Sequence, residues 1–385
     1  MVLSSLKSLL GNSRTFAMAL TSGLAFMGTV NSTPAAAETK SYVMNWFYIA
    51  SYYGGESDCP EGLNPGALEF YRRDLLRLKP AKEVDEILEG FPGEDKGMKW
   101  APFVSVRGNG KDDVYAIPET APDPGLKMIK GKYSYGLNLD GKGAASPNSF
   151  EDPDTHEKGV NNELYRTLGC IKAYRGGVGA GSKPMWPEYV WDILRGTMPA
   201  WLITVDTGND GNATVTFDRA LTQVTRDASN TNVRPNMTFT VDPDPRGHSV
   251  LRGKIKDNVF TSTEAGNVNL VADAFGLTPE VLLKRARTRI TFNPDGSLKG
   301  VLGGYQPWFA YYWSIASVSY TKEYDMSTDA VAMYYGLKKM ADADPDPKTG
   351  ANTTISAAYM MEAVPAYVVN STRRISSTPT TVVSK

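Results

Sequence analysis

Apolar residues recur at helical spacing in Leu68, Tyr71, Leu75 and Leu78, stopping at Pro80. With Asn64-Pro65 as N-cap and first-turn proline, this predicts a helix. A second, short helix carries Val84, Ile87 and Leu88 before Gly90. From Pro92 to Lys132, frequent proline and glycine without sustained period read as irregular connection. The period then changes. Ala200 to Val205 is an apolar run fit for a buried strand, and Thr214 to Phe217 alternates. Arg289 to Phe292 and Ser297 to Val301 flank Asn293-Pro294-Asp295-Gly296 and read as a hairpin. Met237 to Val241, Val250 to Ile255 and Asn267 to Val271 are further strands, with short helices at Pro187 to Arg195 and after Thr278-Pro279.

Toward the C-terminus, Ser327 caps a helix bearing Ala330, Met333, Leu337 and Met340, and Ile355 to Ala363 reads as another helix before Pro365. The expected class is α+β, mainly β: an antiparallel β-sandwich or barrel with helical N- and C-terminal flanks. The expected divisions are a signal peptide at 1–37, a helical or irregular region at 38–132, a β-rich domain at 133–305, a helical region at 306–370 and a flexible tail at 371–385.

Lys7 and Arg14, the apolar stretch Phe16 to Val30 and then Pro34-Ala35-Ala36-Ala37 follow the order of a secretory signal peptide. The apolar part, roughly 15 residues, is short of the ~20 that span a membrane. Sec-type bacterial export to the periplasm or beyond is expected, with no membrane span after cleavage at Ala37. Losing Lys7 and Arg14 moves the net charge from -1 to -3, and a mildly acidic chain without basic blocks is not built for nucleic acid. In an oxidising compartment Cys59 and Cys170 are expected to pair, the alternative being two separately buried thiols.

Hard oxygen donors concentrate in two places. Asn138-Leu139-Asp140-Gly141-Lys142-Gly143 is followed closely by Glu151, Asp152, Asp154, Glu157, Asn161, Asn162 and Glu163. Such density, spaced by glycines, is what a Ca²⁺ site uses, with Asn138, Asp140, Asp152, Asp154 and Asn161 as ligands. Asp342, Asp344 and Asp346 repeat the opening of an EF-hand loop, although Pro347 and Thr353 occupy positions that call for glycine and glutamate. A solvated loop and an Asx-rich turn are the alternatives.

Other chemistry is constrained by what is missing. The only histidines, His156 and His248, do not form H-E-x-x-H, and no C-x-x-C-H or G-x-S-x-G occurs. A carboxylate pair leaves no sequence trace, so a polysaccharide hydrolase remains open. Aromatics cluster at Trp46, Phe47, Tyr48, Tyr52 and Tyr53 and again at Trp308, Phe309, Tyr311, Tyr312 and Trp313; exposed, they stack on sugars, and buried, they form core.

The segment Asp154 to Cys170, with Asn161-Asn162-Glu163-Leu164-Tyr165-Arg166, and Leu302-Gly303-Gly304-Tyr305-Gln306-Pro307-Trp308 resemble pieces of uncharacterised secreted bacterial proteins. That resemblance implies secretion and a β-rich body. Two functions follow as expectations: a non-catalytic exported protein with Ca²⁺-ordered loops that binds a glycan, another polymer or a surface protein, or a secreted carboxylate-dependent hydrolase.

Overall fold

In a computed structural model, described for residues 38–92, 98–176, 183–272 and 280–370, alternating strands close on themselves. The expected signal segment and tail lie outside the described residues. The strands are β1 (Glu38–Ile49), β2 (Phe150–Glu151), β3 (Lys158–Val160), β4 (Pro199–Thr207), β5 (Asn212–Gln223), β6 (Met237–Thr240), β7 (Ser249–Lys256), β8 (Val259–Ser262), β9 (Gly266–Val271), β10 (Glu280–Phe292), β11 (Leu298–Pro307), β12 (Ala343–Pro345) and β13 (Asn352–Val369). The helices are α1 (Ala67–Leu75), α2 (Ala81–Leu88), α3 (Ala101–Ser105), α4 (Glu163–Leu168), α5 (Met185–Thr197), α6 (Trp308–Ala316), α7 (Tyr320–Met326) and α8 (Ala330–Met340).

Eight strands run β1-β4-β5-β7-β8-β10-β11-β13, and β13 pairs back with β1, every pair antiparallel. Closure leaves the barrel wall without an open edge, so its backbone groups are satisfied internally. This is a barrel, not a sandwich. Its interior holds Ile203, Phe217, Leu251, Phe260, Leu302 and Met361, all buried. Two irregularities re-aim side chains, as bulges do. The register shifts at Asn45 in β1, and again around Arg285 in β10, where φ is 48°. Arg285 there pairs with Asp344 (2.6 Å) and lies over the Tyr305 ring.

Outside the barrel, α1, α2 and α3 build a second core around Phe70, Tyr71 and Trp100. At its margin the fully buried Arg107 pairs with Glu323 (2.6 Å) and Asp74 (3.2 Å), tying these helices to α7. A disulfide joins Cys59 to Cys170 and fastens the segment after β1 to the end of α4.

Several expectations are corrected. Ile355 to Ala363 is strand: Ile355, Ala357, Tyr359, Met361 and Ala363 alternate inward, and β13 is hydrogen-bonded on both sides. Its alanines and methionines favour helix, but two-sided pairing overrides that weak preference. Beyond Pro279 the chain is strand β10, not helix, with Val281 and Leu283 facing inward against β9. Asp329, rather than Ser327, caps α8, accepting from the Val331 and Ala332 amides. Gly66 precedes the first turn of α1, so that helix begins later than Asn64-Pro65 implied. Finally, β1 and β13 lie outside 133–305 yet supply two of the eight barrel strands.

Candidate functional site

One end of the barrel is left incompletely filled. There the C-terminal ends of β1 and β11 meet the N-terminal ends of β4 and β10, and α5 and α6 close over them. The result is a cavity of about 80 Å³, opening into a mouth that brings the empty space to about 630 Å³. Its walls are Phe47 from β1, Trp191 from α5, Trp201 from β4 and Tyr359 from β13. Ala310 and Glu280 stand at the more exposed rim.

Each wall residue is locked. Phe47 stacks on Tyr359 at 4.8 Å and meets Trp201 edge-on at 5.3 Å, while Trp191 and Trp201 lie 4.7 Å apart. Such pairs add about 0.5–1.5 kcal/mol each beyond burial. The indole N–H of Trp201 donates to the Val271 carbonyl and that of Trp191 to the Asn45 carbonyl, both at 2.9 Å. The Asn45 bulge therefore positions α5: Arg195 also donates to the Asn45 carbonyl (2.9 Å) and stacks on Trp46. Opposite, Tyr312 donates to the Tyr115 carbonyl (2.8 Å) and holds α6.

The cavity's polar groups are few and neutral. Gln306, 4 % exposed, occupies an inward position of β11 and accepts a hydrogen bond from the Tyr359 hydroxyl. Its amide nitrogen has no hydrogen-bond partner among the described residues. Tyr311, from α6, lies close to Tyr174, whose phenol acts on its own. Burial pushes the phenols of Tyr174, Tyr311 and Tyr359 up, so all three stay protonated at neutral pH. Among the described residues, Glu280 is the one carboxylate on the lining. No protein family, no curated protein and no solved structure matches this chain.

The oxygen-rich segments lie on the outer wall of the barrel, and most of their donors are engaged in holding loops, Asn138 excepted. Asp140 accepts from the Lys142 amide (3.0 Å) and the Ser146 hydroxyl (2.8 Å); Asn161 accepts from the Leu139 and Asp140 amides. Asp152 accepts from the Asp154 and Thr155 amides and pairs with Arg289 (2.8 Å), which also holds Glu157. Asp154 is exposed, and Asn138 keeps a buried carbonyl oxygen without a partner. In the second segment, Asp342 accepts from the Ser356 amide (2.7 Å). Asp344 pairs with Arg285 and Lys284, and Asp346 accepts from the Lys348 and Thr349 amides. The two segments do approach one another, since the Asp140 charge acts on Asp342. Among the described residues no three acidic, histidine or cysteine side chains converge.

A buried carboxylate pair sits near that junction. Burial first, then the Asp342 charge, raises Glu163 to about 7 against the opposing pull of Arg166, and burial raises Asp342. Ser356 links them, its hydroxyl accepting from the Glu163 amide (3.1 Å). Neither residue lines the cavity. The sequence signals that led to the loops were donor counts, whereas Tyr174, Trp191, Trp201 and Tyr359 escaped notice because they are scattered singly. One signal was present: Gln306 is a polar residue in phase with Leu302 on the inward face of a strand.

Proposed function

We propose that this chain is an exported binding protein that takes a small, neutral, largely apolar molecule into the barrel-end cavity. The observation that carries the reading is an aromatic chamber whose deep polar groups, Gln306 and the tyrosines, are uncharged. Apolar walls with a few placed polar groups are the usual make-up of small-molecule sites, and eight-stranded barrels have room for one small ligand or none. A charged head group is disfavoured, because among the described residues no counter-charge lies inside to offset its desolvation. The chamber of about 80 Å³ is smaller than the roughly 150 Å³ dry cavity that admits benzene. Only a ring or the tip of a chain therefore enters, and the rest of the ligand lies in the mouth. Export is supported by the leader pattern of residues 1–37 and by the disulfide. No helix among the described residues is long and apolar enough to cross a membrane.

Binding rather than hydrolysis is the reading taken, since among the described residues the cavity presents one carboxylate where a glycosidase uses two. A glycan or surface-protein partner is a second reading. It rests on Phe309 and Trp313, about half exposed on one face of α6. Ethylbenzene titrated into the protein, followed by tryptophan emission, tests the first reading, since Trp191 and Trp201 line the site. The expected result is a saturable change that disappears in Ala310→Phe at unchanged melting temperature. A flat titration of the native chain, or full binding by Ala310→Phe, overturns it.

A further inference from the structure

Resting on the cavity reading above, we infer that Gln306 selects the ligand's head group: the site takes a small neutral carbonyl compound, its oxygen accepting from the Gln306 amide. Three observations lead there. Gln306 lines the deep part of the cavity and is itself 4 % exposed, so its amide faces the chamber and not bulk water. The Tyr359 hydroxyl donates to Oε1, which turns Nε2 toward the cavity as a donor without a partner among the described residues. Neighbouring wall groups are already paired: the indoles of Trp191 and Trp201 donate to backbone carbonyls, and the Ser314 hydroxyl donates to the Tyr311 carbonyl. Among the described lining residues, Gln306 is thus a donor left for a ligand.

Facing the chamber, the Gln306 amide nitrogen can donate to an acceptor that enters with an apolar body, and that bond adds the modest net gain of a neutral hydrogen bond. An anionic acceptor is disfavoured by Glu280 at the rim, which repels it, and no cation stands on the lining among the described residues. An aryl or short alkyl ketone, aldehyde or ester satisfies both conditions. Its carbonyl meets Nε2 while its ring or chain lies against Phe47, Trp191 and Trp201. Tyr359 is a positioning residue, fixing which end of the amide points inward.

The test compares acetophenone with ethylbenzene, which replaces the carbonyl by a methylene at nearly the same shape. Dissociation constants are measured for the native protein and for Gln306→Leu, with near-ultraviolet circular dichroism as the check on folding. Gln306→Leu is expected to weaken acetophenone by about fivefold to tenfold, the range of one neutral hydrogen bond. Ethylbenzene is expected to bind it as tightly as before or more tightly. Gln306→Met, closer in shape to the native residue, is expected to show the same contrast and replaces Gln306→Leu should that variant misfold. Equal effects on both probes, or acetophenone binding indifferent to residue 306, overturn the inference while leaving an apolar site in place. Failure of both probes to bind the native protein overturns the parent reading together with this one.

Discussion

Two regions of this barrel invite comparison: the aromatic chamber at one end and the acidic loops along the outer wall. The loops hold far more polar atoms, yet Asp140, Asp152, Asp344 and Asp346 are each engaged by backbone amides, hydroxyls or arginines. The chamber holds few polar atoms, and one of them, the Gln306 amide nitrogen, has no partner among the described residues. Dense donors in a folded chain are often the means of ordering a loop. A polar group that lines an apolar recess is the better mark of a ligand, because an entering acceptor can bond it while burying its own apolar surface.

Removing walls and removing loop anchors should therefore have separable consequences. Phe47→Ala opens the stacked aromatic cluster, and its unfolding free energy should fall by about 4 kcal/mol in urea titration. It should also abolish the ethylbenzene response. Arg289→Ala strands Asp152, 1 % exposed, without its counter-charge, and should lose about 3 kcal/mol while cavity binding stays intact. If Arg289→Ala removed probe binding as well, the two regions would not be independent.

Glu163 sharpens the contrast through pH. Its folded pKa, about 7, lies above the ordinary glutamate value, so the native state holds a proton that the unfolded chain releases near pH 4.3. The sign follows from that. Below about pH 4 the group makes no difference, and stability then declines as pH rises from about 4.5 to 7, by up to about 3 kcal/mol. Urea midpoints at pH 5 and pH 7.5 should differ less in Glu163→Gln than in the native chain; equal differences would refute the assignment. The smallest effect is expected at Asp346→Ala, which removes one exposed turn bond pair at a cost of about 0.5–1 kcal/mol by thermal denaturation.

Much of the barrel was legible because strands with one buried face alternate, as in Arg289 to Val301, where the Asn293–Gly296 turn sits between β10 and β11. The end strand β13 was not, since its alanine- and methionine-rich run carries a helical preference that only pairing with β1 and β11 overrules. The pairing of Cys59 with Cys170 followed from there being two cysteines and an export pattern. The cavity was illegible for a different reason. Phe47, Trp191, Trp201, Gln306 and Tyr359 are far apart in sequence and are assembled by barrel closure. Conversely, the loops stood out in the sequence because their donors are adjacent, and adjacency is what lets an aspartate bind its own backbone two residues on.

The difference between free and engaged groups is tested most directly by thermal shift of the native protein against two additions, acetophenone and Ca²⁺. A ligand that binds only the folded state raises the melting temperature with its concentration. The account predicts a rise with acetophenone and none with Ca²⁺ at millimolar concentration. A rise with Ca²⁺ and none with acetophenone would contradict it and return the acidic loops to the centre of this protein's function.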